Sequence, residues 1–381
     1  METTTKLLTT LLLLITAAFT ASASVQIGDL YYNLDSSTLT AEVTYLSYGS
    51  SSNKSYVSGT LKIPSTIKCN GVTYKVTTIG SSAFRKCTGL TSVTIPNSVT
   101  KIGTQAFDGC TGLTEVHITD IGAWCNIKFD GFTANPLFYA HKLYLNGEEV
   151  KDLVIPNTVT TIGNYAFDGC SGLTSVTIPK SVTTIGSDAF LNCTGLTKVH
   201  ITDIGAWCNI NFYTDDANPL LNAHKLYLNG EEVKDLVIPN TVTTIGSHAF
   251  NGCSGLTSVT IPNSVTKIGR DAFYGCNNLK TIYSYAATPP TMSSNAFSSY
   301  KSATLYVPKG CVDVYKAASY WSDFYNIVEG NYVSGADDVI ADEAAGEIVG
   351  YYNLQGVLSA EPWSGLNIVV YSDGSRRKVV Y

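Results

Sequence analysis

Charged residues are scarce in this sequence: they make up 14% of its 381 residues, with 24 Lys and Arg against 30 Asp and Glu. Ordinary globular proteins carry about 25% charged residues. Because binding to a phosphate backbone requires clustered Lys and Arg, a net charge of −6 argues against a nucleic-acid partner. Hydrophobic residues nevertheless reach 44%, enough to build a core, which excludes a chain that is disordered throughout.

Sequence motifs of enzymes and metal sites are also missing. The chain contains neither a G-x-S-x-G nucleophile motif nor a G-x-x-x-x-G-K-[ST] phosphate loop. It has no cysteine pair with the short spacing of a structural zinc site. We therefore expect a protein that is not an enzyme, with no metal, no cofactor and no catalytic residues. The enzymatic alternative is a carboxylate pair that acts on a sugar, for which the sequence offers Asp152, Asp235, Glu148 and Glu149.

The first 23 residues have the pattern of a secretory signal peptide. A positive start at Lys6 precedes an apolar segment, Leu7 to Phe19, that is shorter than the roughly 20 residues of a membrane-spanning helix. An A-x-A cleavage signal ends at Ala23. We expect cleavage near Ala23 and a mature protein, without a membrane-spanning segment, that is secreted or held at the outer cell surface. The alternative is an uncleaved membrane anchor.

A repeat dominates the rest of the chain. Ile-Pro pairs recur at Ile63, Ile95, Ile155, Ile178, Ile238 and Ile261. Most steps between equivalent positions are 23 residues long, and two longer steps have 37 residues. A block of 83 residues is duplicated, so that KLYLNGEEVKDLVIPNTVTTIG occurs twice, from Lys142 and from Lys225. A period in the twenties is typical of a solenoid, in which each repeat is one supersecondary unit and neighbouring repeats share a core.

Each repeat predicts a short strand followed by a compact turn. The segment Leu90–Pro96 alternates apolar and polar residues, as a strand with one buried face does. Farther on, Ala106, Phe107 and Cys110 predict one helical turn with a buried face. Stacked repeats would place the strands in one parallel sheet.

The two longer steps carry 14 extra residues each. Their Leu-Tyr-Leu segments are followed by Asn146-Gly147 and by Asn229-Gly230, the turn pair most typical of a β-hairpin. We expect these hairpins, around Tyr144 and Tyr227, to protrude from the solenoid and to form a second candidate binding surface.

The recurring pattern L-x-x-V-x-I-P-x-S-V-x-x-I-G-x-x-A-F-x-x-C, over roughly residues 60–330, resembles the BspA-type leucine-rich repeat family of bacterial surface proteins, with a Bacteroidetes-like character. The resemblance implies an α/β solenoid, a right-handed superhelix of 23-residue coils with one parallel β-sheet. It also implies surface adhesion and protein–protein interaction. The end of the chain more weakly resembles a secretion and sorting module.

These observations predict five segments. They are a signal peptide (1–23), an N-terminal β cap (24–60), the leucine-rich-repeat solenoid with its capping helix (61–330), a linker (331–349) and a small β-rich sorting-like module (350–381). In the capping helix we expect Val314, Tyr315, Ala318 and Trp321 to point inward. In the final module, two β-rich runs over residues 351–357 and 366–371 and a basic last strand over residues 376–381 predict a small antiparallel sheet.

Six of the ten cysteines share one phase of the repeat: Cys87, Cys110, Cys170, Cys193, Cys253 and Cys276. We expect each to point into the core as a free, buried thiol, stacked in a ladder. Disulfides between adjacent coils are the alternative, because an even number of cysteines in a secreted chain favours pairing. Side chains that point the same way would strain such a bond.

Histidines His117 and His200 occupy outward strand positions and are duplicates of each other, as are His141 and His224. Three strand steps of about 4.8 Å would separate His117 from His200, too far for one metal ion to bridge. We expect these four to be surface histidines. The remaining one, His248, has no duplicate.

The outward strand positions form a weakly charged stripe on the concave side of the predicted sheet. With the two hairpin tyrosines, the candidate ligand-binding residues are Thr94, Glu115, His117, Tyr144, Thr177, Lys198, His200, Tyr227, Thr260, Tyr283 and Tyr306. Hydroxyl groups and Tyr side chains donate and accept hydrogen bonds at little desolvation cost, so this stripe suits extended protein contact. We expect a monomer that binds host or bacterial surface proteins. The alternative is a glycan-binding surface module in nutrient capture, favoured by the aromatic cluster of Tyr283, Tyr285 and Tyr306.

Overall fold

The computed structural model describes residues 24–45 and 57–330, together with the backbone of four strands between residues 348 and 380. The expected signal peptide and residues 331–347 of the expected linker lie outside the described residues. The chain divides into two compact units, residues 1–174 with 186–196 and residues 175–185 with 197–381.

The first unit is built mainly of short strands. In chain order they are β1 (Val25–Ile27), β2 (Leu30–Asp35), β3 (Thr40–Thr44), β4 (Gly59–Lys62), β5 (Thr66–Cys69), β6 (Val72–Ile79), β7 (Leu90–Thr94), β8 (Lys101–Ile102), β9 (Glu115–Ile118), β10 (Lys128–Phe129), β11 (Leu143–Leu145), β12 (Glu148–Glu149), β13 (Asp152–Val154) and β14 (Thr161–Ile162). One sheet has the order β1-β2-β3-β6-β8-β10, with β5 also paired to β6, and a second has the order β12-β11-β9-β7-β4.

The second unit continues the same pattern. Its strands are β15 (Ser175–Ile178), β16 (Thr184–Ile185), β17 (Lys198–Ile201), β18 (Asn211–Phe212), β19 (Leu226–Leu228), β20 (Glu231–Glu232), β21 (Asp235–Val237), β22 (Thr244–Ile245), β23 (Ser258–Ile261), β24 (Lys267–Ile268), β25 (Thr281–Ser284), β26 (Thr291–Met292), β27 (Thr304–Val307), β28 (Asn326–Glu329), β29 (Ile348–Tyr352), β30 (Leu358–Ser359), β31 (Leu366–Tyr371) and β32 (Arg376–Val380). Within this unit the neighbouring strands are β15-β17-β19-β20, β16-β18, β21-β23-β25-β27-β28, β22-β24-β26 and β30-β29-β31-β32.

Parallel pairing follows the period of the sequence. Strand β17 pairs with β15 so that Val199 lies opposite Val176, and β25 pairs with β23 so that Ile282 lies opposite Val259. Each of these partners is 23 residues from the other. These four side chains are fully buried, because the alternation of the strand turns them to the core side of the sheet.

The segment that contains Ala106, Phe107 and Cys110 is a series of tight turns instead of the expected helical turn. Gln105 has a left-handed backbone with φ of 57°, which interrupts any right-handed helix there. The chain instead makes successive tight turns, in which Ala106 N donates to Gly103 O and Cys110 N donates to Phe107 O, each at 3.1 Å. The expected burial is confirmed, since Ala106, Phe107 and Cys110 are all fully buried.

Phenylalanines and cysteines of these turns stack through the core. Phe84 lies on Phe107 with ring centroids 5.2 Å apart, and Phe250 lies on Phe273 at the same distance. All six in-phase cysteines are buried, as expected, and all ten cysteines are free thiols in the structure. The Cys110 thiol donates to the carbonyl of Phe84 at 3.1 Å, so its polar group is satisfied inside the core.

Among the described residues, five short α-helices lie between the strands: α1 (Ile121–Cys125), α2 (Leu137–Ala140), α3 (Ile204–Cys208), α4 (Leu220–Ala223) and α5 (Val312–Ala317). The first four belong to the 37-residue steps and come in duplicate. Helix α1 begins after Asp120, whose carboxylate accepts a hydrogen bond from Ala123 N at 2.9 Å. None of the helices among the described residues is both long enough and apolar enough to cross a membrane.

The expected Asn-Gly hairpins are present, but the expectation that they protrude is wrong. Asn146 and Gly147 have φ of 52° and 93°, as the tight Asn-Gly turn requires, and β11 pairs antiparallel with β12. The hairpin does not protrude, because β11 is itself a strand of the sheet: Leu143 lies opposite Val116 of β9 and is fully buried.

The expected cap helix is only partly correct. Helix α5 is short, and within its segment Tyr315 and Trp321 are buried as expected. Val314, expected to point inward, is 47% exposed, and Ala318 is half-buried beyond the end of the helix. Helix α5 stops one turn too early to bring all four side chains to one face, and Tyr320 with φ of 64° redirects the chain before Trp321.

The final strands are antiparallel, as expected for the sorting-like module. Strands β31 and β32 fall where the sequence places them. The first strand of this sheet, β29, begins at Ile348 and ends at Tyr352, earlier than the expected run of 351–357, of which residues 353–357 lie outside the described residues.

Candidate functional site: three rows on the polar strand face

The outward strand positions form three rows, because parallel pairing brings equivalent residues side by side. The first row runs through Lys62, Thr94, His117 and Tyr144 on β4, β7, β9 and β11. The second row runs through Thr177, His200 and Tyr227 on β15, β17 and β19. The third row runs through Thr260, Tyr283 and Tyr306 on β23, β25 and β27.

In the first row, an imidazole and a phenol ring stack. The ring centroids of His117 and Tyr144 are 4.7 Å apart and the ring planes differ by 21°. This distance equals the spacing of neighbouring strands, so strand pairing itself produces the stack. His117 Nε2 lies 3.0 Å from Glu115 Oε2, within hydrogen-bond distance. All three side chains are half-buried.

The second row repeats this ring pair with a different neighbour. His200 and Tyr227 have centroids 4.9 Å apart and ring planes 32° apart. Lys198, the equivalent of Glu115, is exposed and holds its Nζ 5.7 Å from the centroid of the Tyr227 ring. The Lys225 ammonium lies 3.6 Å from a carboxylate oxygen of Glu232, on the second strand of the hairpin.

The third row ends in two stacked tyrosines. Tyr283 and Tyr306 have ring centroids 5.1 Å apart and planes that differ by 25°. Burial, and the neighbouring Tyr306, raise the pKa of Tyr283 above its usual value, so its hydroxyl stays protonated as a hydrogen-bond donor at neutral pH. On the core side of the same strand, Ser284 and the Tyr315 hydroxyl lie 2.7 Å apart, which anchors helix α5 beneath the sheet.

The stacks determine which parts of the rings a ligand reaches. One face of each ring lies against its partner in the pair. The other face is directed along the row, where Tyr144 has Glu149 as its register partner and Tyr306 has Val328. Ring edges and hydroxyl groups therefore face outward, and these suit hydrogen bonds and edge contacts with a protein. Stacking of a sugar needs an open ring face.

The structure thus places all eleven candidate residues on the outward side of their strands, some in each of the two units. The ring pairs His117–Tyr144 and His200–Tyr227 were missed, because the hairpins were expected to protrude. The signal was present: Leu-Tyr-Leu alternates like the other strands, so a buried Leu143 implies an outward Tyr144.

The other histidines serve the fold. His141 and His224 are exposed residues that end helices α2 and α4 in left-handed conformations, and their Nδ1 atoms lie 2.9 and 3.0 Å from the carbonyls of Gly169 and Gly252. The side chain of His248 is only 13% exposed.

His248 has charged groups around it but no hydrogen bond at its buried ring nitrogen. Its Nδ1 lies 3.9 Å from a carboxylate oxygen of Asp271, which also accepts from Arg270 Nε at 2.9 Å. Burial lowers the pKa of His248 below 6.5, against the opposing charges of Asp271 and Asp215.

Two grooves beside buried tryptophans are too small for a ligand. The groove beside Trp124 encloses about 10 Å³, room for about one water molecule, and the equivalent groove beside Trp207 encloses none. Among the residues that the structure describes, no three His, Cys, Asp or Glu side chains are placed to hold a metal ion. Asp152 and Asp235, the carboxylates of the enzymatic alternative, accept hydrogen bonds from Thr174 and Thr257.

Comparison with known proteins identifies the repeat. A family model of the BspA-type leucine-rich repeat region matches in six copies, over residues 66–131, 140–214 and 223–329, well over half of the chain. No curated protein matches the sequence significantly.

Solved structures of similar fold include a leucine-rich cell-surface protein from Faecalibacterium prausnitzii, at 22% identity over 83% of this chain and 97% of that chain, with a TM-score of 0.39. A leucine-rich repeat protein from Bacteroides ovatus matches at 23% identity over 80% of this chain and 88% of that chain, with a TM-score of 0.42. The pneumococcal vaccine antigen PcpA matches at 14% identity over 82% of this chain and 100% of that chain, with a TM-score of 0.33.

Because these TM-scores are low, the assignment rests on the repeat itself. The six copies coincide with the parallel strands and buried turns described above. Proteins with such repeats are generally non-enzymatic, bind other proteins and are typically found at the cell surface. This chain belongs to the BspA-type leucine-rich repeat family.

Proposed function

We propose that this protein is exported and acts, in secreted or cell-surface form, as an adhesion protein that binds other proteins through the three rows and performs no chemistry. The repeat family supports protein binding in general. The rows add a specific surface: half-buried Thr, His and Tyr side chains that offer hydrogen bonds without a large desolvation cost.

One observation carries the proposal. The duplicated block presents the same His–Tyr pair twice, in the same register, with His117 opposite Tyr144 and His200 opposite Tyr227. Packing is enough to explain why a core residue is the same in both copies. These rings lie on the outward face, where Thr or Ser would also be compatible with a strand, so packing does not explain them. Repeated presentation of one contact group gives a multivalent partner a gain in avidity.

The architecture that we propose for this function is a monomeric right-handed solenoid of 23-residue coils with the rows on its concave side. Residues 24–60 and the segment around α5 would close its two ends. Residues 331–349 would link it to a sorting-like module over residues 350–381, and the signal peptide would be removed near Ala23. Host or bacterial surface proteins are the partners that we expect.

Glycan binding receives less support. It was favoured by the aromatic cluster of Tyr283, Tyr285 and Tyr306, but Tyr283 and Tyr306 stack on each other. Tyr285 is half-buried. A ligand therefore contacts the edges and hydroxyl groups of these rings, and their faces are less accessible for stacking on a sugar.

The test is a binding screen of the purified mature chain, residues 24–381, against extracellular-matrix proteins, host cells and a glycan array in parallel. We expect saturable binding to a protein or to cells, weakened in the presence of competing protein. Binding to glycans alone would contradict the proposal, as would catalysis by the pure protein. Absence of binding to all three would move the search to bacterial surface proteins with the same assay.

A further inference from the structure

The two His–Tyr pairs are alike, but the residue beside them is opposite in charge. Glu115 beside the first row and Lys198 beside the second occupy the same position of the duplicated block, two residues before the histidine on the same strand face. Their neighbours on the preceding strand are both serines, Ser92 and Ser175. The charge is therefore the feature that distinguishes the two positions.

Around the first pair, the nearby charge is negative. The Glu115 carboxylate is held 3.0 Å from His117 Nε2, with its side chain 40% exposed. Glu149 is the register partner of Tyr144 on the hairpin and is half-buried. Within the part of the chain that the structure describes, no Lys or Arg forms an ion pair with either carboxylate. Glu149 borders Gly172 together with the Lys142 side chain, so the carboxylate that a ligand group meets beside these rings is that of Glu115.

Around the second pair, the nearby charge is positive. Glu232, the register partner of Tyr227, is neutralised by Lys225 at 3.6 Å. Lys198 extends over the Tyr227 ring, and no carboxylate among the described residues pairs with it. Its ammonium group is left to attract an anion at the edge of the same ring pair.

We propose that the two rows are recognition sites for side chains of opposite charge on a protein partner. The Glu115–His117–Tyr144 site takes a cationic Lys or Arg side chain, and the Lys198–His200–Tyr227 site takes an anionic Asp or Glu side chain. The inference deepens the proposed function and rests on it. It makes Glu115 and Lys198 the residues that determine specificity, while the ring pairs supply a common platform.

The test uses site-resolved NMR of the mature chain, with ¹³C-labelled histidine rings assigned by single His→Gln variants. The probes are Nα-acetyl-arginine amide and Nα-acetyl-glutamate α-amide, which carry opposite charges on otherwise comparable frames. We expect the arginine probe to shift the His117 resonances and the glutamate probe to shift those of His200. The ratio of apparent Kd values at each site should be about two- to fivefold, the range of an exposed charge pair.

Charge exchange supplies the control. In Glu115→Lys the first site should prefer the glutamate probe, and in Lys198→Glu the second should prefer the arginine probe. In Glu115→Gln the first site should bind the two probes equally. This neutral variant serves as the test if the reversed charge of Glu115→Lys disturbs the strand. The rings of His141 and His224 should not shift in any titration.

The inference would be overturned if both sites responded equally to both probes, or if neither site responded. It would also be overturned if the charge preferences stayed the same in the charge-exchange variants. The binding screen keeps the two proposals apart. Macromolecular binding without charge preference would refute only the charge assignment. Charge preference without any macromolecular binding would refute the adhesion proposal and leave the chemistry of the two sites established.

Discussion

The two copies of the duplicated block are nearly identical inside and differ at several outward positions. Trp124 Nε1 donates to the carbonyl of Ala166 at 2.8 Å, and Trp207 Nε1 donates to that of Ala249 at 2.7 Å. The buried Asn135 likewise matches Asn218, and both side-chain amides donate to the next turn at 2.6 Å. Dense packing leaves little room for change at such positions, so the copies have kept them.

Several outward positions have diverged instead. Phe132, which is 51% exposed, corresponds to Asp215. Glu115 corresponds to Lys198 on the strand face. A core mutation costs stability wherever it occurs, whereas a surface change alters what the surface attracts. The repeat therefore maintains a common scaffold in both copies while the charge on its surface varies.

Thiol reactivity is the largest expected contrast between interior and surface. Burial raises the pKa of the Cys125 thiol in one copy and of the Cys208 thiol in the other to about 12. Only the thiolate form of a cysteine reacts with Ellman's reagent, and a higher pKa lowers the fraction of thiolate. We therefore expect Cys125 and Cys208 to react about a thousandfold more slowly than a thiol with the ordinary pKa near 9. Half-buried Cys69 and Cys311 should react first. Rapid titration of more than two thiols in the native protein would contradict the buried ladder.

Truncation of the buried tryptophans should destabilise both copies alike. Trp124→Ala and Trp207→Ala each remove a side chain that is 1% exposed, together with one of the two side-chain donors to a backbone carbonyl. We expect a loss of about 3–5 kcal/mol in the free energy of unfolding for each, measured by urea denaturation. Trp→Phe should cost less in both. If one copy tolerated the change while the other did not, the cores would not be equivalent.

The hairpin turns should show a smaller matched effect. Gly147 and Gly230 both have φ of 93°, and a Cβ built on either meets nothing within 4 Å. Gly147→Ala and Gly230→Ala therefore strain the backbone without a clash, and we expect each to cost about 1–2 kcal/mol. Thermal unfolding of the two variants provides the measurement. A cost near zero would show that the turn relaxes to another type.

Much of this structure could be predicted from the sequence. The 23-residue period sets the strand register, and the alternation within LTSVTIP separates core side chains such as Val93 from outward ones such as Thr94. The turn backbone could not be derived, because the left-handed conformation of Gln105 depends on packing between neighbouring repeats. The alternation of Leu-Tyr-Leu shows that Tyr144 faces outward, but not which residue it lies beside, since Tyr144 follows His117 by 27 residues and not 23. Inserted residues shift the register, and only tertiary pairing reveals by how much.

His248 should make the stability of one copy depend on pH in a way that the other copy, with Tyr165 at this position, does not. Because burial holds the pKa of His248 below 6.5, the unfolded chain takes up this proton first as the pH falls. Stability from this residue is complete above pH 6.5 and is lost as the pH falls from there toward the lower pKa of the folded protein. His248→Tyr, which installs the residue found at position 165, should flatten urea unfolding midpoints across this range. An unchanged slope would assign the pH dependence to other groups.

The most direct measurement of the central claim compares two double variants in the binding screen. His117→Asp with His200→Asp alters the strand face in both copies, and His141→Asp with His224→Asp makes the same change at two exposed helix ends away from it. We expect the first variant to lose at least about tenfold in affinity for the protein or cell that the wild type binds, and the second to bind like the wild type. Equal affinity of both variants, with folding intact, would show that the partner binds elsewhere on the molecule.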